Sequence, residues 1–183
     1  MYQRVTEQLE QLVAKGVNRI GNVIQDSSGG YILGIPTDGK GADASLSLVD
    51  YDRYSVILHY LEVTDSSLII NGNVENYLHL CAAEISRRLT YLEEPLVLLE
   101  LDTIEGIAQL RSSPPEQSIA GFSYWELKVW VEPQPRARLA RYRWRADSYE
   151  RSPLPQPITF ATLARIAEDL AACLADTGHI VFE

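Results

Sequence analysis

Residues Phe122 to Ala146 read FSYWELKVWVEPQPRARLARYRWRA and hold all three tryptophans of the chain, Trp125, Trp130 and Trp144, in a dense run of positive charge. From Ser123 the residues alternate. Trp125, Leu127, Val129 and Val131 fall on one side, and Tyr124, Glu126, Lys128 and Trp130 on the other, the period-2 pattern of a half-buried strand. The second arm alternates as well, with Ala140, Tyr142, Trp144 and Ala146 opposed to Arg141, Arg143 and Arg145. Between them, Pro133-Gln134-Pro135-Arg136 breaks the ladder, because proline fixes φ and has no donor. The stretch is therefore expected to be a β-hairpin.

Its register is expected to follow burial. A four-residue loop pairs Glu132 with Ala137 and sets Trp125 opposite Trp144, Leu127 opposite Tyr142 and Val129 opposite Ala140. A slip of one residue would expose a whole apolar set, at roughly 1.5–3 kcal/mol for each large side chain. That register predicts an outer face of Tyr124, Glu126, Lys128 and Trp130 beside Arg145, Arg143, Arg141 and Leu139, with Glu126 paired to Arg143.

The chain has 183 residues, 46% hydrophobic and 22% charged, which suits one globular α+β domain with a substantial core. A two-lobed body divided at 72/73 is the alternative. The N-terminus, MYQRVTEQLEQLVAKG, patterns as an amphipathic helix and not as a secretory leader. No run approaches the ~20 apolar residues that cross a bilayer. A cytoplasmic protein without membrane insertion is expected. The net charge of −9 argues against general nucleic-acid binding, which wants a basic footprint. Charge is uneven: residues 36–105 carry four basic against thirteen acidic side chains, and 106–157 carry eight against five.

The periodicity predicts a first helix over Tyr2 to Lys15, stopped by Gly16. Short antiparallel strands follow at Val17–Gln25, Tyr31–Thr37, Ser45–Val49, Tyr54–Val63 and Leu68–Asn71. Asn73 caps a second helix to about Leu89. A hairpin of Leu96–Thr103 and Ile107–Ser112 comes next, its tight turn setting Leu101 against Leu110 and Glu100 against Arg111. Residues 112–118 and 152–157 read as proline-bearing linkers. Thr159 caps a last helix with a stripe of Phe160, Leu163, Ile166, Ala167, Leu170 and Leu174, ended by Gly178. The tail 179–183 is expected to dock as a strand or against a second copy, giving a homo-oligomer.

Each half reads as a helix followed by a meander, without residue-level self-similarity between the halves. This order of helix, strands, helix, strands, helix is similar in layout to the secretion-chaperone class of α+β folds. That resemblance implies the binding of other proteins and carries no site residues.

The chemistry search is mostly negative. His59, His79 and His179 fall in different elements, and no Cys-x-x-Cys or His-x-x-x-His pair exists, so neither metal nor cofactor is expected. Cys81 and Cys173 read as buried helix residues. Gly39-Lys40-Gly41 lacks the pattern of a phosphate cradle and reads as a hairpin tip. Glu100 and Asp102 share a strand face beside Arg111. The remaining candidate is the hairpin's aromatic–basic face, Tyr124, Lys128, Trp130, Arg141, Arg143 and Arg145, because arginine beside exposed aromatic rings is enriched in binding hot spots. The expectation is a non-catalytic interaction module, an adaptor, chaperone-like protein or assembly subunit, whose partner is a protein with an acidic surface. The alternative is a small-ligand binder or enzyme with an apolar pocket between sheet and last helix, using Tyr54, His59, Tyr60 and Tyr142 as polar handles.

Overall fold

A computed structural model describes the backbone of every residue except 27, 28, 38–40, 120 and 183, and the side chains of 179–182 are likewise left out. The Gly39-Lys40-Gly41 tip therefore lies largely outside the described residues. The fold is α+β. Helix α1 (Tyr2–Lys15) precedes strands β1 (Val23–Gln25), β2 (Tyr31–Ile35), β3 (Ala42–Tyr51) and β4 (Ser55–Asp65). Helix α2 (Val74–Arg88) precedes β5 (Leu96–Asp102), β6 (Ile107–Ser112), β7 (Glu116–Ser118), β8 (Gly121–Trp130), β9 (Arg136–Arg145), β10 (Glu150–Pro153) and β11 (Gln156–Thr159), and α3 (Phe160–Phe182) follows.

The strands form one antiparallel sheet in the order β1-β2-β3-β4-β9-β8-β6-β5, with β10 on β9, β11 on β4 and β7 on β8. Two meanders thus run inward from opposite edges and meet at β4 and β9, where Leu61 lies against Leu139 and Val63 against Ala137. The helices form a layer over one face. α3 packs between α1 and α2 and lies over β4, while α1 contacts β2 and α2 contacts β5 and β6. One apolar cluster joins this layer to the inward residues of both meanders, including Leu46, Leu61, Leu127, Val129, Leu139 and Leu170.

The helices form where amphipathic spacing and caps place them. α1 buries Val5, Leu9 and Leu12, and Gly16 ends it at φ 74°, a conformation that favours glycine. In α2 the Asn73 side chain accepts from the Asn76 N–H, satisfying a donor the first turn leaves free. Thr159 does the same for Thr162 at the start of α3. The expected α3 stripe is buried throughout. Gly178 does not stop it. The helix runs on through residue 182, so the tail is not a strand, and Gly178 lies close against Leu68, where a Cβ would lie 2.5 Å from a Leu68 methyl.

Several expected strands are absent or shifted. Val17–Arg19 is a 3-10 turn, so only Val23–Gln25 pairs. Leu68–Asn71 is irregular, because Leu68 packs on α3 and not on a neighbouring strand. The proline-bearing linkers each hold edge strands, β7 in one and β10 and β11 in the other. Pro153 and Pro157 sit at such edges, where a missing donor costs the ladder least. The β5–β6 pair places Leu101 against Ala108 and Glu100 against Gln109, leaving a four-residue connection, 103–106, that Asp102 stabilises by accepting from Ile104 and Glu105 N–H.

The central hairpin also takes a different register. Trp130 pairs with Arg136, Leu127 with Leu139, Trp125 with Arg141 and Phe122 with Trp144, around a five-residue connection, 131–135. An odd shift exchanges the faces of the second arm. Ala137, Leu139 and Arg141 point to the helices, and Arg136, Arg138, Ala140 and Tyr142 point away. Matching Leu127 with Leu139 and Val129 with Ala137 suits a layer lying close under α3, which two facing indoles would have held off. The outward turn of Trp144 is supported by stacking on Phe122, centroids 5.0 Å apart.

Candidate functional site

Among the described residues no helix covers the other side of the sheet. Direct cross-strand partners share a face, so the pairings define rungs across the bare side. One rung runs Gly34, Ser45, Glu62, Arg138, Lys128, Gln109. Its neighbour runs Ile32, Ser47, Tyr60, Ala140, Glu126, Arg111, and the next runs Asp43, Thr64, Arg136, Trp130, Ile107. Both meanders contribute, but unequally. The first offers small residues, and the second offers rings and guanidinium groups.

Aromatic rings and arginines are interleaved on the second half. Arg136 lies 4.9 Å from the Trp130 ring centroid and Arg138 5.9 Å from it. Arg138 also stacks on Tyr60 at 4.5 Å, Arg111 on Tyr124 at 4.3 Å and Arg151 on Tyr142 at 3.7 Å. Such contacts contribute about 0.5–1 kcal/mol each at exposed sites. They also hold the side chains extended, so less rotamer entropy remains to be lost when a partner lands.

Glu126 is buried at the foot of this array. It accepts from Gln109 at 2.9 Å and Arg151 at 2.6 Å, with Arg111 at 3.3 Å and Lys128 at 4.0 Å. Arg138 is neutralised by Glu62 at 2.7 Å. Arg136 has no carboxylate partner among the described residues, and its Nε is buried without an acceptor. Burial pushes the Tyr124 hydroxyl up from its ordinary value. Within this array five cations (Arg111, Lys128, Arg136, Arg138, Arg151) surround two carboxylates (Glu62, Glu126), while Asp43, Glu100 and Asp102 stand toward the edges of the same face, on a chain of net charge −9. Over Ala140 the array leaves a cavity of about 300 Å³ walled by Trp130, Tyr142, Lys128, Arg138 and Arg151.

The predicted site residues divide. Tyr124, Lys128 and Trp130 lie together on the bare face, but Tyr124 is only 3% exposed there, with Arg111 and Arg151 over its ring. Arg141, Arg143 and Arg145 do not join them, because the register turns all three to the other side. Arg141 is only 2% exposed and bonds Glu93 at 2.8 Å, Glu116 at 2.7 Å and Glu94 at 3.3 Å, beneath the Trp125 ring. Arg143 and Arg145 are exposed on that opposite side. Glu126 has Arg111, Arg151 and Lys128, and not Arg143, as its ion partners. Arg136, Arg138 and Arg151 were not foreseen. The signal for the first two was turn length: once five residues separate the arms, both arginines fall in phase with Trp130.

The alternative set does not converge. Tyr54 is 67% exposed at the start of β4 beside Arg53. His59 is skipped by the β3 pairing at a bulge, while Tyr60 and Tyr142 belong to the bare face. Under α3 the space is filled by Leu163, Ile166, Ala167, Leu170 and Leu174. Cys81 and Cys173 face each other across α2 and α3, Cys81 Sγ lying 3.6 Å from the Cys173 carbonyl oxygen. Burial raises their thiols to about 11 and about 12, which leaves no thiolate at neutral pH. Among the described residues no group of three or more His, Cys, Asp or Glu is placed to hold a metal ion. No described helix is long and apolar enough to cross a membrane.

No protein-family model matches the chain, and no curated protein or solved structure matches it.

Proposed function

We propose that this chain is a non-catalytic protein-interaction module, an adaptor, chaperone-like protein or assembly subunit, whose working surface is the helix-free face of its sheet. The observation that carries the reading is Trp130, half-exposed between Lys128 on its own strand and an Arg136 that no described carboxylate neutralises. Tryptophan, tyrosine and arginine dominate binding hot spots, since they bury large area at low entropic cost. The local surplus of cations around Trp130 favours a partner with acidic character, which would be steered to it over several ångströms.

A photo-crosslinking residue at position 128 tests this. It should capture a defined partner identifiable by mass spectrometry, whereas the same residue at position 143, across the sheet, should not. With that partner purified, Trp130→Ala should weaken binding at least tenfold at unchanged thermal midpoint. Equal crosslinking from both positions would overturn the reading.

A second reading has one observation in its favour. A cleft of about 240 Å³ between Tyr91, Pro157, Thr162 and Trp125 is lined in part by the Trp125 ring, whose indole N–H is buried without an acceptor. A small molecule with an acceptor group would satisfy it, and a thermal-shift screen read against Trp125→Phe would find such a ligand.

A further inference from the structure

The bare face carries a second concavity, remote from the first. At the far edge Ile24, Ile32, Gly34 and Pro36 border an apolar hollow of about 360 Å³, with Asp43 at its rim. Ile32 lies on the rung that passes through Ser47, Tyr60 and Ala140 to Glu126, and Gly34 lies on the rung that passes through Ser45, Glu62 and Arg138 to Lys128. The two hollows are therefore the ends of one track that crosses the sheet at right angles to its strands. Between its ends β3 offers only Ser45 and Ser47, and the path then crosses the Tyr60 ring with Arg138 stacked on it at 4.5 Å and paired to Glu62. Four strand-to-strand steps separate β2 from β8, about 19 Å at ~4.8 Å each.

Resting on the function proposed above, we infer that this track takes an extended peptide segment bearing an aliphatic residue and an acidic residue about six positions apart. An extended chain rises about 3.3 Å per residue, so six residues span about 20 Å and return both side chains to the same side. The aliphatic side chain fills the hollow beside Ile32 over Gly34. The carboxylate reaches Lys128 and Arg136 on either side of Trp130, the positions where charge on this face is least neutralised. The other acids of the face stand on β5 and β3, outside the central strands β4, β9 and β8: Glu100, Asp102, which accepts from the Ile104 and Glu105 N–H, and Asp43, which accepts from Thr37 and lies at the rim of the apolar hollow. This favours a peptide acidic only at the Trp130 end.

The test is fluorescence anisotropy with labelled peptides of about twelve residues, carrying Leu and Glu at i and i+6, at i and i+2, or with Lys in place of Glu. The i, i+6 peptide should bind at least tenfold tighter than either other. Gly34→Leu fills the apolar hollow without strain, since a Cβ there meets only the Asn22 carbonyl, at 3.7 Å. It should weaken the i, i+6 peptide at least fivefold and leave the folding midpoint unchanged. Loss of all binding in Trp130→Ala, with no dependence on spacing or on Gly34, would overturn the two-ended track while sparing the interaction face. No binding by any peptide, alongside intact partner capture at position 128, would overturn it equally. Tighter retention of heparin than of any peptide would show a simple polyanion surface and also overturn it.

Discussion

Arg138 and Arg141 stand three residues apart on one strand and meet opposite fates. Arg141 points to the helices and is consumed by Glu93, Glu94 and Glu116, sealed beneath Trp125. Arg138 points away, shares one carboxylate, and spreads its guanidinium over Tyr60 toward Trp130. The covered face of β9 uses its charge to hold loops to the sheet, and the bare face displays charge on rings. Exposure and surplus cation, more than the number of arginines, distinguish a surface that can receive a partner from one that stabilises the fold.

The largest effect belongs to the covered face. Leu139 is fully buried against Leu127 and Leu61 at the junction of the two meanders. Leu139→Ala should cost about 3 kcal/mol in urea unfolding, through lost transfer energy and the cavity left behind. The same truncation at half-buried Lys128, on the bare face, should cost far less, and comparable losses would erase the distinction between the faces.

Arg141→Met should cost about 2 kcal/mol, since it strands Glu94, whose Oε2 is already buried without a partner. Acid should narrow the gap between variant and parent. The Ser123 hydroxyl first, and then Arg141, hold the Glu116 carboxyl below its ordinary 4.5. Its contribution is therefore present above that value and is lost as pH falls through the lowered one. Chemical denaturation at pH 7 and pH 3 should show the parent losing more than the variant.

The smallest effect lies on the helix layer. Hydrogen bonds from Arg87 and Arg88 hold the Glu84 carboxyl at about 2, and Arg88 also reaches Asp176 on α3 at 2.8 Å. By the same sign the contribution is complete above 4.5 and fades as pH approaches about 2. Glu84→Gln should cost only a few tenths of a kcal/mol at pH 7, because the pair is solvated and screened.

The helices and the class of fold were legible because local signals agreed with the tertiary result. The α1 stripe, the Asn73 and Thr159 caps and the α3 stripe all lie where spacing and capping chemistry put them. The hairpin faces were not. Burial arguments assume that indole rings go inward and guanidinium groups outward, yet Leu139 packs better against Leu127 than Tyr142 would. Arg141 could turn inward because Glu93, Glu94 and Glu116 arrive from distant segments. Gly178 misled for a related reason: a glycine that permits close packing on Leu68 resembles one that ends a helix. Trp130 as an outward ring was legible, but its true neighbours depended on one residue of turn length.

The most direct test is a pair of charge reversals, measured as affinity for the partner captured at position 128. Lys128→Glu with Arg136→Glu alters the bare face, and Arg143→Glu with Arg145→Glu makes the same formal change on the opposite side of the same hairpin. The account predicts at least a tenfold loss for the first pair and less than a twofold change for the second. Equal losses, or a greater loss for the Arg143 and Arg145 pair, would contradict it.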